Sequence, residues 1–291
     1  MDYLLYILIL VDIYIILAVS LNLLVGFTGL VSMAHAGFMA IGAYATTILL
    51  VKAGMNFLLT IPIGVLLAGG VSALLALPSL RVKGEHYIIA SFGLQIILYN
   101  IMLNWVSLTN GPYGFSGIPR PQIFGFQFQT YGSFLLLATA IAWVCGFLIW
   151  RVTRCRFGIV LKAIREDETA ASSLGKNVNR FKVITFILGS SIAAVAGSLY
   201  ATAVSFIDPF CFTVHDSIFI LAVVIIGGTG NIYGSAMGAL LLISLPELLK
   251  FLHVPESVAA PLRQMIYGAL LVIFMRFRPQ GLLPEYRGKR G

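Results

Sequence analysis

Nine predominantly apolar runs, each close to the ~20 residues that an α-helix needs to cross a bilayer, succeed one another along this 291-residue chain. They fall at about 3–25, 30–51, 57–80, 86–106, 131–151, 181–206, 214–229, 232–252 and 261–277. Peptide groups in hydrocarbon find no water, so each span must satisfy them internally, and the runs lack the alternation of barrel strands. The expected fold is therefore all-α: a polytopic integral membrane bundle of about nine (eight to ten) helices, a single domain over 1–291. The seventh run is short enough to be a half-span or a re-entrant piece. The N-terminal MDYLLYILIL carries an acid where a secretory leader carries basic residues, so it reads as the start of the first span.

Only 10% of the residues are charged, against roughly 25% in soluble chains. The net charge of +8 therefore does not signal nucleic-acid binding; the basic residues sit in short loops between apolar runs. One face of a nine-span arrangement receives Arg81, Lys83, the basic residues of 151–182 and those of 276–291. The other receives only Lys52, Arg120, Lys250 and Arg263. The positive-inside rule puts the first set in the cytoplasm, with the N-terminus outside and the C-terminus inside. The loop at about 107–130 then becomes the largest extracytoplasmic segment. Its Gly111, Pro112, Gly114 and Gly117 predict an ordered, turn-rich excursion, not a helix.

Several spans carry small residues at helical spacing: Gly189, Ala193, Gly197 and Ala201 in the sixth, Ser32, Ala36 and Ala40 in the second, Gly234 and Gly238 in the eighth. Such stripes let backbones approach closely in lipid, within one chain or across a subunit face. Glycine pairs also punctuate two junctions, Gly26-Phe27-Thr28-Gly29 and Gly227-Gly228-Thr229-Gly230. Unwound backbone at membrane depth is tolerated where it lines a cavity or is buried in protein. Asn22, Gly26, Gly29, His35, Gly37, Gly227, Gly228 and Gly230 are accordingly the candidates for a substrate path. Asp12, Gln95, Asn100 and Glu247 are further polar residues within spans, with Lys250 placed to pair with Glu247.

The chain lacks a GxxxxGK[ST] phosphate loop, an H-E-x-x-H helix and paired carboxylates, so no enzymatic chemistry is expected of it. Gly114-Phe115-Ser116-Gly117 matches a serine-protease string, but proline brackets Ser116, which argues for a turn. Cys145, Cys155 and Cys211 are too few and too dispersed for a disulfide framework, and no metal site is expected. A proton-coupled carrier would show several acidic or histidine residues in mid-membrane. This chain offers few, so its energy is expected to enter from outside.

Between the fifth and sixth runs lies RVTRCRFGIVLKAIREDETAASSLGKNVNR, residues 151–180, which could not sit in lipid. Helix-favouring residues flanked by Gly158 and Gly175 predict a cytoplasmic helix over about 156–177. Ile164, Ala170, Ala171 and Leu174 could fit a groove. The segment RFGIVLKAIREDETAASSLGKNVNRFK resembles the coupling region of permease subunits in branched-chain amino-acid ABC importers. So do LNLLVGFTGLVSMAHAGFMAIGAY (21–44), NGPYGFSGIP (110–119) and VVIIGGTGNIYGSAMGALLL (223–242), in the family's order; the M-type of its two sister permeases fits best.

The resemblance implies a permease half of a bacterial inner-membrane importer. Its partners would be a sister permease forming a heterodimer, two cytoplasmic ATP-binding subunits and an extracytoplasmic solute-binding protein. ATP and Mg would be used by the partner ATPases, with no cofactor on this chain. Arg165, Glu166, Asp167, Glu168, Ala170, Ala171 and Gly175 are the implied coupling residues, although Thr169 stands where the general coupling motif has Glu. The substrate would be a branched-chain or related amino acid, with amides or urea as alternatives within the fold family. An ion-coupled secondary carrier is the rival reading.

Overall fold

The computed structural model describes the backbone of residues 2–79, 86–123, 126–250, 256–277 and 281–283. Arg81, Lys83, the side chains of Glu247, Lys250 and Arg263, and the basic tail beyond Leu283 lie outside the described residues.

In chain order the helices are α1 (Asp2–Thr28), α2 (His35–Val51), α3 (Phe57–Ser79), α4 (His86–Asn104), the one-turn α5 (Val106–Thr109), α6 (Tyr131–Arg154), α7 (Arg156–Glu166), α8 (Glu168–Ser173), α9 (Val178–Val204), α10 (Val214–Gly227), α11 (Ile232–Lys250) and α12 (Glu256–Phe277). The described residues also hold four two-residue strands, β1 (Phe115–Ser116), β2 (Gln122–Ile123), β3 (Phe126–Gln127) and β4 (Phe206–Ile207), and 3-10 turns at Gly111–Tyr113 and Pro209–Phe212. The nine apolar runs coincide with α1–α4, α6 and α9–α12. Among the described residues α1, α3, α4, α6, α9 and the segment Pro209–Gly227 are long and apolar enough to cross a bilayer; α2, α11 and α12 carry shorter apolar stretches.

The core is a bundle around α1, α2 and α9. Leu66, Leu74, Ile89 and Leu136 point outward and are exposed, as side chains facing lipid would be. The small-residue stripe of α9 is the seam that lets α2 sit against it. A Cβ at Gly197 would overlap the Met39 carbonyl, and one at Gly42 would overlap that of Ala194. The two backbones are in contact, so the stripe packs within this chain. Gly234 and Gly238 do the same for α10 and α11, against Gly227 and the Val223 carbonyl.

Three expectations change at this level. The second run does not become helical until His35, because Gly29 (φ 72°) turns the chain left-handed and residues 29–34 stay non-helical. Ser32 thus precedes α2. The turn-rich loop at 107–130 holds a turn of helix (α5), a 3-10 turn at Gly111–Tyr113 and strands, with β1 pairing antiparallel to β4. Asn110, Gly111, Gly114 and Gly117 all take positive φ there, and a Cβ at Gly114 would overlap the Ile207 carbonyl. Ser116 is exposed in β1 opposite Phe206. The third change, a break in the charged hairpin, belongs to the site.

Candidate functional site

The charged hairpin folds as two helices. Asp167 is extended (φ −153°, ψ 108°) and its carboxylate accepts the backbone N–H groups of Thr169 and Ala170 at 2.8 and 3.0 Å. It is the N-cap of α8. The single helix expected over 156–177 is therefore split, because Asp satisfies the next helix's free N–H groups better than it continues the previous one. Gly175 (φ 75°) closes α8: its N–H bonds Ser172 O and that of Lys176 bonds Ala171 O, a Schellman ending.

The four consecutive charges split by direction. Glu166 is exposed and pairs with Arg165 at 2.9 Å. Glu168 turns back to Lys182 on α9 at 2.7 Å, and the Lys182 side chain is only 7% exposed. Ile164 and Ala171 are buried with Val178, whereas Ala170 and Leu174 face outward with Asp167 and Thr169. So the face open to a partner is Glu166, Asp167, Thr169, Ala170 and Leu174, and the inward face is Arg165, Glu168 and Ala171.

Arg165 reaches the end of the first membrane helix. Its Nη1 donates to the carbonyl of Gly26 at 2.5 Å, in the last turn of α1, where carbonyls lack intrahelical donors and a cation is favoured. Gly26 and Asn22 lie one turn apart on the same face of α1. A Cβ at Gly26 would overlap the Gly230 backbone. Asn22, fully buried, accepts the Gly230 N–H at 2.8 Å and donates to Asn231 O at 2.9 Å and Ser235 Oγ at 2.6 Å. The two glycine junctions, far apart in sequence, therefore meet, and Asn22 locks them.

Gly26 and Gly227 are helical, which corrects their reading as unwinding points: they are small because another backbone lies against them. The left-handed or irregular positions are Gly29, Gly228 and Gly230. The non-helical stretch 29–34 and the first turn of α2 are held by side chains of other helices. Ser91 Oγ accepts from Met33 N–H at 3.0 Å, Ser217 Oγ from Ala36 N–H at 3.0 Å, and Gln95 Oε1 from Gly37 N–H at 2.7 Å. Gln95 Nε2 in turn donates to Phe212 O at 2.9 Å. His35, buried at the start of α2, pairs its Nε2 with Ser20 Oγ at 2.7 Å, so it bonds a neighbouring helix.

A cavity of about 370 Å³ lies between this break and the hairpin, lined by Gly29, Leu30, Val31, Tyr87, Arg165, Glu168 and Lys182 among others. The sequence reading missed Lys182, Ser91 and Ser217 as parts of this assembly, and Gln95 entered only as one polar residue among several. A lysine one turn into a span was the signal for Lys182. Pro112, Gly111, Gly114 and Gly117 lie in the loop packed on β4, apart from this cluster.

A family model described as "Branched-chain amino acid transport system / permease component" matches residues 3–275. The chain is 34% identical to the high-affinity branched-chain amino acid transport system permease protein LivM of Escherichia coli K12, over 94% of this chain and 68% of that one. It is 26% identical to LivH of the same organism, over 93% of this chain and 91% of the relative. In fold it is similar to a solved metal-chelate type ABC transporter in an inward-facing conformation, with a TM-score of 0.50 at 18% identity, covering 93% of this chain and 85% of that one.

Proposed function

The chain belongs to the branched-chain amino acid transport system permease family, and on that premise we propose how its geometry passes work from an ATPase to an amino-acid pathway. It is the multi-pass membrane permease of an ABC importer; ATP is hydrolysed on separate subunits. We assign it a branched-chain or related aliphatic amino acid as substrate. A sister permease, two ATP-binding subunits that bind ATP and Mg, and an extracytoplasmic solute-binding protein complete the assembly. The hairpin side faces the cytoplasm in this reading, with the N-terminus outside.

The Arg165–Gly26 bond carries the mechanism. The ATPase docks on the outward face of α7–α8, through Leu174 and Ala170 with Glu166 and Asp167 at the rim. When the ATPases close, α7 shifts, and Arg165 transmits that shift to the end of α1. Asn22 hands it on to the α10–α11 turn at Gly230. Two helix breaks thereby move together, and the non-helical backbone at 29–34 opens or shuts one end of the path. The ATPases can bias this equilibrium only by holding the hairpin differently in their open and closed states. Glu168–Lys182 anchors α8 to α9 so that the hairpin moves as a lever and does not fold away.

Affinity purification of the chain in mild detergent from its native membrane tests the assembly: two ATP-binding subunits and a second permease should co-purify. Vesicles containing the full complex should accumulate labelled leucine only with ATP and the binding protein. Accumulation by this chain alone, driven by an ion gradient, would establish the carrier reading instead.

A further inference from the structure

A second cavity, about 480 Å³, runs between α1, α6 and α11, and the coupling cluster does not use it. Asp12, near the midpoint of α1, and Thr139 of α6 lie at one end of it, with Thr139 Oγ1 donating to Asp12 Oδ2 at 2.6 Å. Trp143, Phe147, Trp150 and Tyr233 make up much of the rest. From Thr139 to Trp150 the groove follows α6 for roughly 16 Å at 1.5 Å per residue, ending beside the hairpin. At that end Arg154 stacks on Trp150 with Cζ 4.9 Å from the ring centroid.

An ionisable side chain at this depth is costly unless something pairs with it. Among the described residues Asp12 has no ion-pair partner. The groove is thus apolar and aromatic, with the Asp12 carboxyl at one end and the Arg154 guanidinium beside the other. It is complementary to a molecule with a positive group beside an aliphatic one, and aromatic faces add attraction for the cation.

We propose that this groove is a stretch of the amino-acid pathway, where Asp12 takes the substrate's α-ammonium and the aromatic wall takes its aliphatic side chain. The proposal rests on the transport reading above and deepens it.

The test uses the complete transporter in vesicles, with labelled leucine as probe. Asp12→Asn should lower uptake per assembled complex about tenfold or more, the loss expected for one charge-assisted contact. Asp12→Glu should retain part of the uptake. A Cys at position 236 (Ala236→Cys, with Cys155→Ser to silence the exposed native thiol) should react with a cationic thiol reagent, and leucine present during turnover should slow that reaction. Full uptake by Asp12→Asn, or labelling that leucine leaves unchanged, overturns the proposal; absence of labelling, meaning lipid or protein fills the groove, does so too. If Asp12→Asn does not assemble, leucine protection of Ala236→Cys decides. The wild-type complex keeps the two readings separate: its uptake of leucine tests the transport reading, and the ratio of variant to wild type tests the groove.

Discussion

Arg165 of the charged hairpin donates to the carbonyl of Gly26 in the final turn of the first membrane helix, and Gly26 itself lies against the Gly230 backbone. One side chain therefore joins the polar exterior of the protein to both of its glycine junctions. Arg165→Ala should leave the assembled importer intact but reduce stimulation of ATP hydrolysis by the loaded binding protein by about tenfold, within the usual range of coupling energies. Arg165→Lys should restore part of it, since lysine keeps the charge without the guanidinium fork. Stimulated hydrolysis at the wild-type level in Arg165→Ala would remove this residue from the coupling path.

Docking should depend on different residues. Leu174 is 77% exposed, an unusual position for leucine on the polar side of a membrane protein, and Ala170 lies one turn before it. Leu174→Asp and Ala170→Arg should abolish co-purification of the ATPase while changing the permease's own stability by no more than about 0.5 kcal/mol, as surface substitutions do. Retention of the ATPase by both variants would place its binding face elsewhere.

Asn22 makes three hydrogen bonds from a fully buried position. Asn22→Ala leaves the Gly230 N–H without its acceptor, at a cost of about 2–3 kcal/mol. Thermal unfolding of the detergent-solubilised protein should show a clearly lowered midpoint. Asn22→Asp should be nearly as damaging, because a carboxylate cannot donate to Asn231 O or Ser235. An unchanged midpoint in both variants would mean that Asn22 does not lock the junction.

The sequence made some of these relationships legible and hid others, for identifiable reasons. Apolar runs located the helices because lipid imposes both length and hydrophobicity. The stripe at Gly189, Ala193, Gly197 and Ala201 marked a close helix contact because only small residues permit one. Asp167 was harder. Within Arg165–Glu168 it reads as one charge among four, yet an Asp followed by small and helix-forming residues is also an N-cap signal, and capping won. The meeting of Asn22 with Gly230 was not legible, since nothing local to residue 22 specifies a partner near residue 230. The repeated GxTG strings hinted at related turns; only the fold brings them face to face. Gly29 breaks the backbone whereas Gly26 packs, a difference that composition does not encode.

Glu168 and Lys182 should show strong coupling in a double-mutant cycle. Lys182 is buried, so Glu168→Ala strands a charge, and a loss on the order of 2 kcal/mol is expected, discounted because Glu168 itself is partly exposed. Lys182→Met removes the stranded charge. The double variant should therefore be more stable than Glu168→Ala alone, as read from thermal midpoints; simple additivity would show that the pair is not a structural anchor.

The contact between α2 and α9 gives the sharpest steric contrast. At Gly42 and Gly197 a methyl group would enter the other helix's carbonyl, and backbone on both sides leaves no flexible side chain to move aside. At Gly70 on α3 nothing lies within 4 Å of the same atom. Alanine is the better helix former at all three sites by roughly 1 kcal/mol, so intrinsic propensity alone would predict stabilisation everywhere. Overlap should reverse the sign at the seam: Gly42→Ala and Gly197→Ala should each cost about 2 kcal/mol or more, lower the thermal midpoint and reduce the yield of assembled complex. Gly70→Ala should be neutral or slightly stabilising. Because α2 begins at the break held by Ser91, Gln95 and Ser217, spreading the seam should also loosen that break, and uptake should fall further in Gly42→Ala and Gly197→Ala than the lost yield explains. Equal tolerance of alanine at all three glycines would mean that α2 and α9 do not touch along this face.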